Sequence, residues 1–287
     1  MKFAFIKANS SNHSVKKMCQ VLNASRSGYD SWKDRPITNR RKSDMELLAA
    51  IRKLFDESRQ TAGSPKIHEA LRAMGYRVGA NRVARIMREN GLKSVVKKRF
   101  RVVTTDSKHN LPIAPNLLNR QFKVDAPNKV WASDLTYIQV ADRFAYLCII
   151  KDLFNHEPIG WSLAYHMRTE MVIDALNRAV QRRRPESGLM FHSDRGSQYA
   201  SKEFRKELKQ HKMIQSMSRK GNCWDNAPVE SFFKSLKLEE VYRKKYSSLK
   251  DARENLFEYI EVFYIRRRRH ASLGYMTPAE FLKRSAS

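Results

Sequence analysis

Three acidic residues in this sequence have the types and the spacing that metal-dependent chemistry on phosphates requires. Asp194 and Glu230 are separated by 35 residues and lie in the stretches HSDRGSQY and GNCWDNAPVES. A third acid, Asp134, lies upstream in VWASDLTYI. Carboxylates of this kind can hold two divalent cations about 4 Å apart for phosphoryl transfer. We therefore predict a metal-binding catalytic site formed by these three residues.

Each acid also has an ordinary structural interpretation. Asp134 is predicted to lie in the middle of a strand, where an acid must be paired or hydrogen-bonded, so it could be a buried hydrogen-bonding residue. Asp194 is predicted to be the last residue of its strand and could be a turn or cap residue. Glu230 and Lys234 could form a surface ion pair of the i,i+4 kind, worth a few tenths of a kcal/mol.

A helix with two stripes is predicted after Asn226, which can cap it. Its apolar stripe consists of Val229, Phe232, Phe233 and Leu236. Glu230, Lys234 and Lys237 form a second stripe on an adjacent face. The acid would then lie beside two lysines that can bind phosphate.

The rest of the chain is strongly basic. Its 287 residues include 56 Lys and Arg against 29 Asp and Glu, which gives a formal net charge of +27. Residues 1–126 carry +17 of this charge and residues 127–287 carry +10. Such an excess is typical of proteins that bind the phosphate backbone of nucleic acid. A merely solvated basic surface, or a ribosomal-type structural protein, stays open as the alternative.

Cysteine usage and hydropathy predict a cytoplasmic protein without a membrane segment. Cys19, Cys148 and Cys223 form no CxxC pair and no zinc-finger spacing with the histidines, which is typical of reduced thiols. The opening MKFAFIKA has too short an apolar run for a signal peptide, and YLCII is too short to span a membrane.

Helical patterns dominate the first third of the chain. Residues 14–34 are predicted to form two short helices with Ser25 capping the second, which fits a helix-turn-helix and equally an ordinary αα-hairpin. Three further helices are predicted at 47–58, 64–76 and 81–91, the last two capped by Ser64 and Asn81.

Arginines line one face of the last of these helices. Arg82, Arg85 and Arg88 lie opposite its apolar face, which favours contact with a DNA groove or backbone but also fits a solvated face.

From residue 130 the pattern becomes mixed α/β. Strands are predicted at 130–140, 144–153, 158–166, 188–194 and 213–218, with helices at 169–184 and 201–211. Three strands in a meander, followed by strands that alternate with helices, predict a ribonuclease H-like core preceded by small all-α modules. The predicted domains are a helix-turn-helix-like segment (1–36), a second helical DNA-binding module (40–100), a basic linker (101–123) and a catalytic core with a C-terminal helical extension (124–287).

The chain resembles the DDE transposases of bacterial insertion sequences, the group related to retroviral integrases whose transposase spans two overlapping reading frames. FHSDRGSQYAS, SMSRKGNCWDNAPVESFFKSLKLE and RRRHASLGYMTPAEF carry this resemblance most specifically. The family's D,D,35,E spacing, with a lysine seven residues after the glutamate, is met by Asp134, Asp194, Glu230 and Lys237. One departure is Ile265, where the family usually has Asn.

The resemblance implies a DNA transposase with an integrase-type catalytic core. The three acids would bind two Mg²⁺ ions, with Mn²⁺ as a substitute, and one site would perform both strand cleavage and strand transfer. Candidates for contact with DNA ends are His192, Tyr199, Asn226, Lys234 and Lys237. The chain has no heptad run and resembles the downstream-frame product, so the expected partners are double-stranded DNA, the upstream-frame product as a fusion or partner, and further copies of the chain on the bacterial nucleoid.

Two other functions stay open at this point. A DNA-binding regulator would occupy element ends without cutting, but it has no need of three spaced acids. A ribonuclease H-like nuclease would cut RNA–DNA hybrids without joining strands.

Overall fold

The computed structural model describes residues 1–34, 38–94 and 110–285. The predicted basic linker and the end of the second helical module therefore lie partly outside the described residues. The chain divides into two compact units, Met1–Arg52 and a larger one that begins at Lys53.

Three short helices surround a small core in the first unit. They are α1 (Lys2–Ala8), α2 (Val15–Val21) and α3 (Arg26–Lys33). Ile6, Met18 and Tyr29 are buried between them. Ser25 caps α3, because its hydroxyl accepts a hydrogen bond from the Gly28 amide at 3.1 Å. The two helices predicted within 14–34 are confirmed by α2 and α3.

The next three helices depart from the predicted boundaries. They are α4 (Asn39–Glu57), α5 (Ser64–Ala73) and α6 (Ala80–Glu89). α4 begins earlier than predicted, because its first two turns are polar and carry no apolar period. Ser64 and Asn81 are wrong as caps: the N-cap positions are Gly63 and Gly79, and neither helix has a side-chain cap hydrogen bond.

A five-stranded mixed sheet forms the centre of the larger unit. Its strands are β1 (Val130–Val140), β2 (Arg143–Asp152), β3 (Pro158–Ala164), β4 (Met190–Ser193) and β5 (Ile214–Met217). The strand order is β3-β2-β1-β4-β5, with antiparallel pairing among the first three and parallel pairing of β4 with β1 and β5. The predicted meander and ribonuclease H-like order are confirmed.

Helices cover both faces of this sheet. One face packs against α7 (Thr169–Arg183), α8 (Ser197–Ala200) and α9 (Lys202–Gln210). Alternate residues of β1 separate the two cores: Trp131 and Leu135 face these helices, while Ala132 and Ile138 face the other side. Gly160 of β3 lies so close to α7 that a Cβ there would be 2.3 Å from the carbonyl oxygen of Ala175.

The other face is covered by the C-terminal helices. They are α10 (Ala227–Glu239), α11 (Leu249–Phe257) and a π-helical stretch (Glu258–Tyr264). The last helix, α12 (Pro278–Ser285), contacts the segment after β2, where Phe281 packs against Phe154. Ile265, which departs from the family pattern, is buried, so the contact at this position is apolar. Across the described part of the chain, no helix combines the length and the hydropathy that a membrane crossing needs.

Candidate active site

The parallel pairing of β1 with β4 brings two of the predicted acids to the same level. Trp131 pairs with Phe191 and Ala132 with His192, an offset of 60 residues. Asp134 and Asp194 differ by the same 60 residues. β4 ends at Ser193, so Asp194 directly follows the strand and is not its last residue as predicted. Asp194 is therefore not paired with a neighbouring strand, and it lies at the carboxyl end of β4. Ligands bind at the carboxyl ends of strands in open α/β sheets.

A local turn orients the Asp194 side chain. Its Oδ1 accepts a hydrogen bond from the Gly196 amide at 3.0 Å. A Cβ at Gly196 would lie 3.1 Å from this oxygen, so glycine leaves the space that the carboxylate occupies.

Asp134 lies on the face of β1 that packs against α10. Its Oδ1 accepts a hydrogen bond from the Leu135 amide at 2.8 Å. Burial raises the pKa of Asp134 well above its ordinary value, and the negative charge of Asp194 raises it further. Glu230 adds to this effect, while Lys237 lowers the pKa. The three acids and this lysine are therefore near enough to act on one another electrostatically.

Glu230 is exposed in the first turn of α10, and two contacts fix the start of that helix. The Asn226 side-chain amide donates a hydrogen bond to the Ser133 carbonyl oxygen at 3.0 Å. Lys151, buried in β2, donates from Nζ to the Pro228 carbonyl oxygen at 3.1 Å. Asn226 occupies the N-cap position without a side-chain cap bond. Its side chain is used to anchor the helix and not, as predicted, to cap it.

The far end of α10 is held by the C-terminal motif. Arg268 donates hydrogen bonds to both carboxylate oxygens of Glu239, at 2.8 Å each. Such a bidentate pair restricts rotation as well as separation. Contacts with other segments therefore hold both ends of α10, the helix that carries Glu230.

The two lysines of the second stripe differ in environment. Lys237 is partly buried, and its Nζ lies 4.4 Å from the centre of the Tyr137 ring. Burial lowers the pKa of Lys237, and the charge of Asp134 partly offsets this. Lys234 is exposed. Lys237 therefore interacts electrostatically with Asp134, whereas Lys234 is exposed to solvent.

Three residues that were predicted to contact DNA are buried in the structure. His192 and Tyr199 are fully buried, and Asn226 is 4% exposed, which leaves them no surface for contact with DNA. Ser216 and Ser218 lie at hydrogen-bond distance from the two ring nitrogens of His192, 2.9 and 3.2 Å away. Burial lowers the pKa of His192 to about 4, so the ring is neutral near pH 7.

Tyr199 supports β1 from behind the site. Its hydroxyl is 2.7 Å from the Ser133 hydroxyl, next to Asp134 in the chain. Burial raises the pKa of Tyr199 well above its ordinary value, so the hydroxyl keeps its proton. His192, Tyr199 and Asn226 thus brace the strands and the helix that carry the acids.

Asp225 is a residue whose importance sequence reasoning missed. Its carboxylate is fully buried and accepts hydrogen bonds from the guanidinium groups of Arg120 and Arg219, at 2.8 to 2.9 Å. Asn116 adds a further bond at 2.8 Å. The Arg219 side chain holds the pKa of Asp225 far below its usual range. Arg120 and Asn116 lie more than 100 residues away along the chain, so only the acid's place in the GNCWDNAPVES stretch could have drawn attention to it.

The three arginines of α6 differ in how accessible they are for contact with DNA. Arg85 forms an ion pair with Glu89 at 2.9 Å. Arg82 is partly buried, and Arg88 is exposed. Contact of this face with DNA stays a prediction.

Family comparisons assign the two parts of the chain. An integrase core domain matches residues 124–223, and a second integrase core model matches 211–278. An HTH-like domain matches residues 42–100. All three acids lie within the integrase matches.

Full-length relatives decide the family. Transposase InsF for insertion sequence IS3A of Escherichia coli strain K12 is 37% identical over 283 residues, which cover 98% of each chain. The chain belongs to the IS3-family transposases. An insertion element IS600 31 kDa protein of Shigella sonnei is 42% identical over 264 residues, covering 92% of this transposase and 97% of the relative.

The solved structures that match parts of this chain are distant from it in sequence. A chain of the simian T-cell lymphotropic virus intasome is 14% identical with a TM-score of 0.48, over 77% of this transposase and 70% of that chain. The catalytic domain of Mos1 mariner transposase is 14% identical with a TM-score of 0.42, over 55% and 76%. The strand order and the family matches, and not these distant structures, carry the fold assignment.

As an IS3-family transposase with HTH-like and integrase domains, the protein binds DNA and acts on it as a polynucleotidyl transferase. An integrase-type core depends on a divalent metal ion. Among the residues that the structure describes, no set of three His, Cys, Asp or Glu side chains is already grouped as a metal site. The three acids nevertheless fit a divalent cation in donor chemistry and charge, because hard oxygen ligands suit Mg²⁺ and a cation would relieve the repulsion that raises the pKa of Asp134.

Proposed function

We propose that Asp134, Asp194 and Glu230 are the catalytic residues with which this transposase cleaves and joins DNA strands at insertion-sequence ends. The observation that carries the proposal is geometric: the parallel register of β1 and β4 brings Asp134 and Asp194 level, and the bond from Asn226 to the Ser133 carbonyl oxygen joins the helix of Glu230 to the strand of Asp134. In agreement with this arrangement, the charges of Asp194 and Glu230 both add to the rise that burial causes in the pKa of Asp134. A purely structural acid in mid-strand would be expected beside a cation or a cluster of donors and not beside two more carboxylates.

The same three carboxylates would hold the divalent metal. Two Mg²⁺ ions, with Mn²⁺ as a substitute, would supply activation of water or a DNA 3′-hydroxyl and stabilisation of the leaving 3′ oxygen. Mg²⁺ suits ligation by carboxylates together with retained waters. A bound cation would oppose the effects that raise the pKa of Asp134, because its positive charge favours the ionised carboxylates that ligate it.

The surrounding residues position the DNA. Lys237 and the exposed Lys234 bind the phosphates on either side of the scissile bond, since both lie on the ridge of α10 that carries Glu230. Asn226, Tyr199 and His192 keep the two strands and the helix in register during the in-line displacement. Binding energy is thereby used for orientation, which is a large part of the rate enhancement in phosphoryl transfer.

The helical parts bind DNA outside the catalytic centre. The helix-turn-helix-like segment (1–36) and the second module (40–100) recognise the element ends, with Arg82, Arg85 and Arg88 on the DNA side of α6. The catalytic core then spans 124–287, after a basic linker over 101–123. Affinity of this kind would also keep the protein on the bacterial nucleoid.

Transposition also sets requirements on assembly. Two DNA ends must be held together, so the active form contains more than one copy of the chain. The upstream-frame product, as a fusion or as a partner, contributes to this assembly. Size-exclusion chromatography with and without paired ends tests the first statement, because a species larger than one chain should form only when both ends are present.

Strand cleavage and joining on labelled element-end DNA test the catalytic assignment. With Mg²⁺, the wild-type chain or its upstream-frame fusion should give nicked and joined products, whereas Glu230→Gln should lose at least about 100-fold in rate and keep its DNA affinity. Glu203→Gln is the matched control, because Glu203 is an exposed acid in the first turn of α9 and should leave the rate unchanged.

Three outcomes would contradict the proposal. Strand cleavage by Glu230→Gln at the wild-type rate would show that Glu230 is not a catalytic residue. Binding without cleavage by wild-type chain and fusion would favour a DNA-binding regulator, and cleavage of RNA–DNA hybrids without joining would favour a nuclease.

A further inference from the structure

Trp224 exposes its side chain in the segment that leads into α10, the helix of Glu230. The residue is 68% exposed, whereas Trp131 and Trp161 are buried and Trp32 packs against Tyr29. An indole in water loses the burial that stabilises most tryptophans in folded proteins. Such a side chain therefore suggests a partner that covers it in the working complex.

The loop that carries Trp224 is held on both sides of this residue. The guanidinium group of Arg120 donates to the Asn222 side chain at 2.8 Å and also to Asp225 at 2.8 Å. Arg219 binds the same Asp225 carboxylate through its side chain and its backbone amide. Two residues after Trp224, Asn226 is bonded to the Ser133 carbonyl oxygen. The exposed indole is therefore presented by a braced segment, which reduces the entropy lost on binding.

The surroundings of the indole favour nucleic acid. Lys220 is exposed, and the Arg219 side chain is 47% exposed while it binds Asp225. The single acid between Arg219 and Asn226 is Asp225, which is buried and neutralised by two arginines. Glu230 follows six residues after Trp224. An exposed aromatic ring on a braced loop, with two basic residues shortly before it and Glu230 six residues after it, is complementary to a DNA strand that enters the site.

We propose that Trp224 is a stacking platform for an unpaired base of the DNA strand that enters the candidate active site. An aromatic side chain stacks on a base only where a base face is free, and in a duplex the faces are covered except at the end or where a nucleotide is displaced. Stacking on Trp224 compensates for opening the pair next to the scissile phosphate. The location of this platform rests on the proposed function of the three acids, but base stacking itself is a binding property and can be measured without catalysis.

Equilibrium binding to element-end duplexes with one abasic position tests the proposal. The protein carries Glu230→Gln to prevent turnover, and the abasic position is moved one nucleotide at a time through the terminal nucleotides of the strand. Trp224→Ala should weaken binding of the intact end about tenfold. One abasic position should weaken binding by the Trp224-containing protein by a similar factor and cause no further loss with Trp224→Ala, because both changes remove the same contact.

Two variants serve as controls. Trp224→Phe should keep most of the affinity and the coupling to the abasic position, since a smaller aromatic ring can still stack. Phe257→Ala removes another exposed aromatic residue, 54% exposed on α11, and should leave affinity and coupling unchanged.

Two results would overturn the proposal. One is strictly additive losses at every abasic position, which would mean that Trp224 contacts no base. The other is a change in oligomeric state of Trp224→Ala in the absence of DNA, which would identify the indole as a contact between copies of the chain. Because binding is measured without turnover, both results are distinct from failure of the catalytic assignment, which appears as residual cleavage by Glu230→Gln.

Discussion

The side-chain amide of Asn226 donates to the carbonyl oxygen of Ser133 at 3.0 Å, and this bond joins the helix of Glu230 to the strand of Asp134. Asn226 is four residues before Glu230, and Ser133 directly precedes Asp134. Two acids that lie 96 residues apart in the chain are thereby connected through one hydrogen bond between their immediate supports. The bond is buried, so water does not compete with it.

Removal of this bond should lower both the stability and the cleavage rate, while DNA affinity is kept. Asn226→Ala should cost about 1–3 kcal/mol of stability, because the Ser133 carbonyl loses a buried donor. Strand cleavage should fall at least about tenfold, because Glu230 is no longer fixed relative to Asp134. DNA affinity should stay unchanged. Rates, binding and denaturant unfolding check these three statements, with the exposed Asn177→Ala on α7 as the control. A loss of affinity equal to the loss of rate would contradict a positioning role.

Gly196→Ala should disturb Asp194 selectively. The backbone of Gly196 has φ −58°, which alanine adopts readily, so the change acts only through the added methyl group. That methyl would lie 3.1 Å from Asp194 Oδ1 and 2.9 Å from Gln198 Oε1. We expect about a tenfold lower cleavage rate with a stability loss below about 1 kcal/mol. Gly63→Ala, whose methyl would meet only an ordinary contact at 3.7 Å, should leave the cleavage rate unchanged and cost no more than about 1 kcal/mol of stability, because alanine is a poorer N-cap residue than glycine.

Gly160→Ala should instead destabilise the fold. Its methyl group would lie 2.3 Å from the Ala175 carbonyl oxygen and 2.8 Å from the Ala179 Cβ, and the first of these atoms is helix backbone that cannot rotate away. Separation of β3 from α7 should cost about 3 kcal/mol or more. Gly79→Ala is the control, because a methyl there meets no atom within 4 Å. Equal midpoints of denaturant unfolding for Gly160→Ala and Gly79→Ala would contradict this, because they would show that β3 and α7 can move apart without loss of stability.

Acid should destabilise the protein partly through His156. Burial lowers the pKa of His156 from 6.5 to about 3, and the charge of Lys151 contributes. The folded state therefore favours the neutral ring. This contribution to stability is complete above pH 6.5 and is lost as the pH falls from 6.5 towards 3, by up to about 1.4 kcal/mol per pH unit.

His156→Asn isolates this effect. His156 has φ +60°, a conformation that asparagine tolerates well, so the variant removes the titrating group with little backbone strain. The free energy of unfolding of the variant should fall less steeply between pH 6.5 and pH 4.5 than that of the wild type. A slope remains, because burial also lowers the pKa values of His192 and His270. The free energies of unfolding come from chemical denaturation at each pH. An identical pH dependence for the variant and the wild type would show that His156 does not titrate in this way.

DNA affinity should decrease steeply with salt. A net charge of +27 on 287 residues implies the release of several counterions on binding. Lys234→Ala and Arg88→Ala should each reduce the slope of log affinity against log salt by about one, since each removes one phosphate contact. Lys250→Ala, an exposed lysine on α11, is the control and should leave the slope unchanged. A flat salt response of the wild type would contradict binding through phosphates.

Strand positions and the family were predictable because their signals are local. The alternation in β1 and the apolar runs of β2 and β3 depend on neighbouring residues, and the spacing of Asp194 and Glu230 can be counted along the chain. Helix starts at Gly63 and Gly79 were missed, because a polar residue near a helix start does not reveal whether its side chain bonds to the helix.

Roles that depend on distant partners were not predictable. His192, Tyr199 and Asn226 have side chains suited to DNA contact, and their sequence neighbourhood does not reveal that they are buried. Asp225 has no strong local signal, because two of its partners, Asn116 and Arg120, are over 100 residues away.

The sequence alone was enough to predict phosphoryl transfer on DNA, since three carboxylates, the lysines after them and a large basic excess are properties of composition and spacing. Only the tertiary structure decided which polar residues support the site and which of them face solvent. Trp224 and His192 illustrate the reason. Burial depends on contacts between segments far apart in the chain, so Trp224 is exposed and His192, which was predicted to contact DNA, is buried.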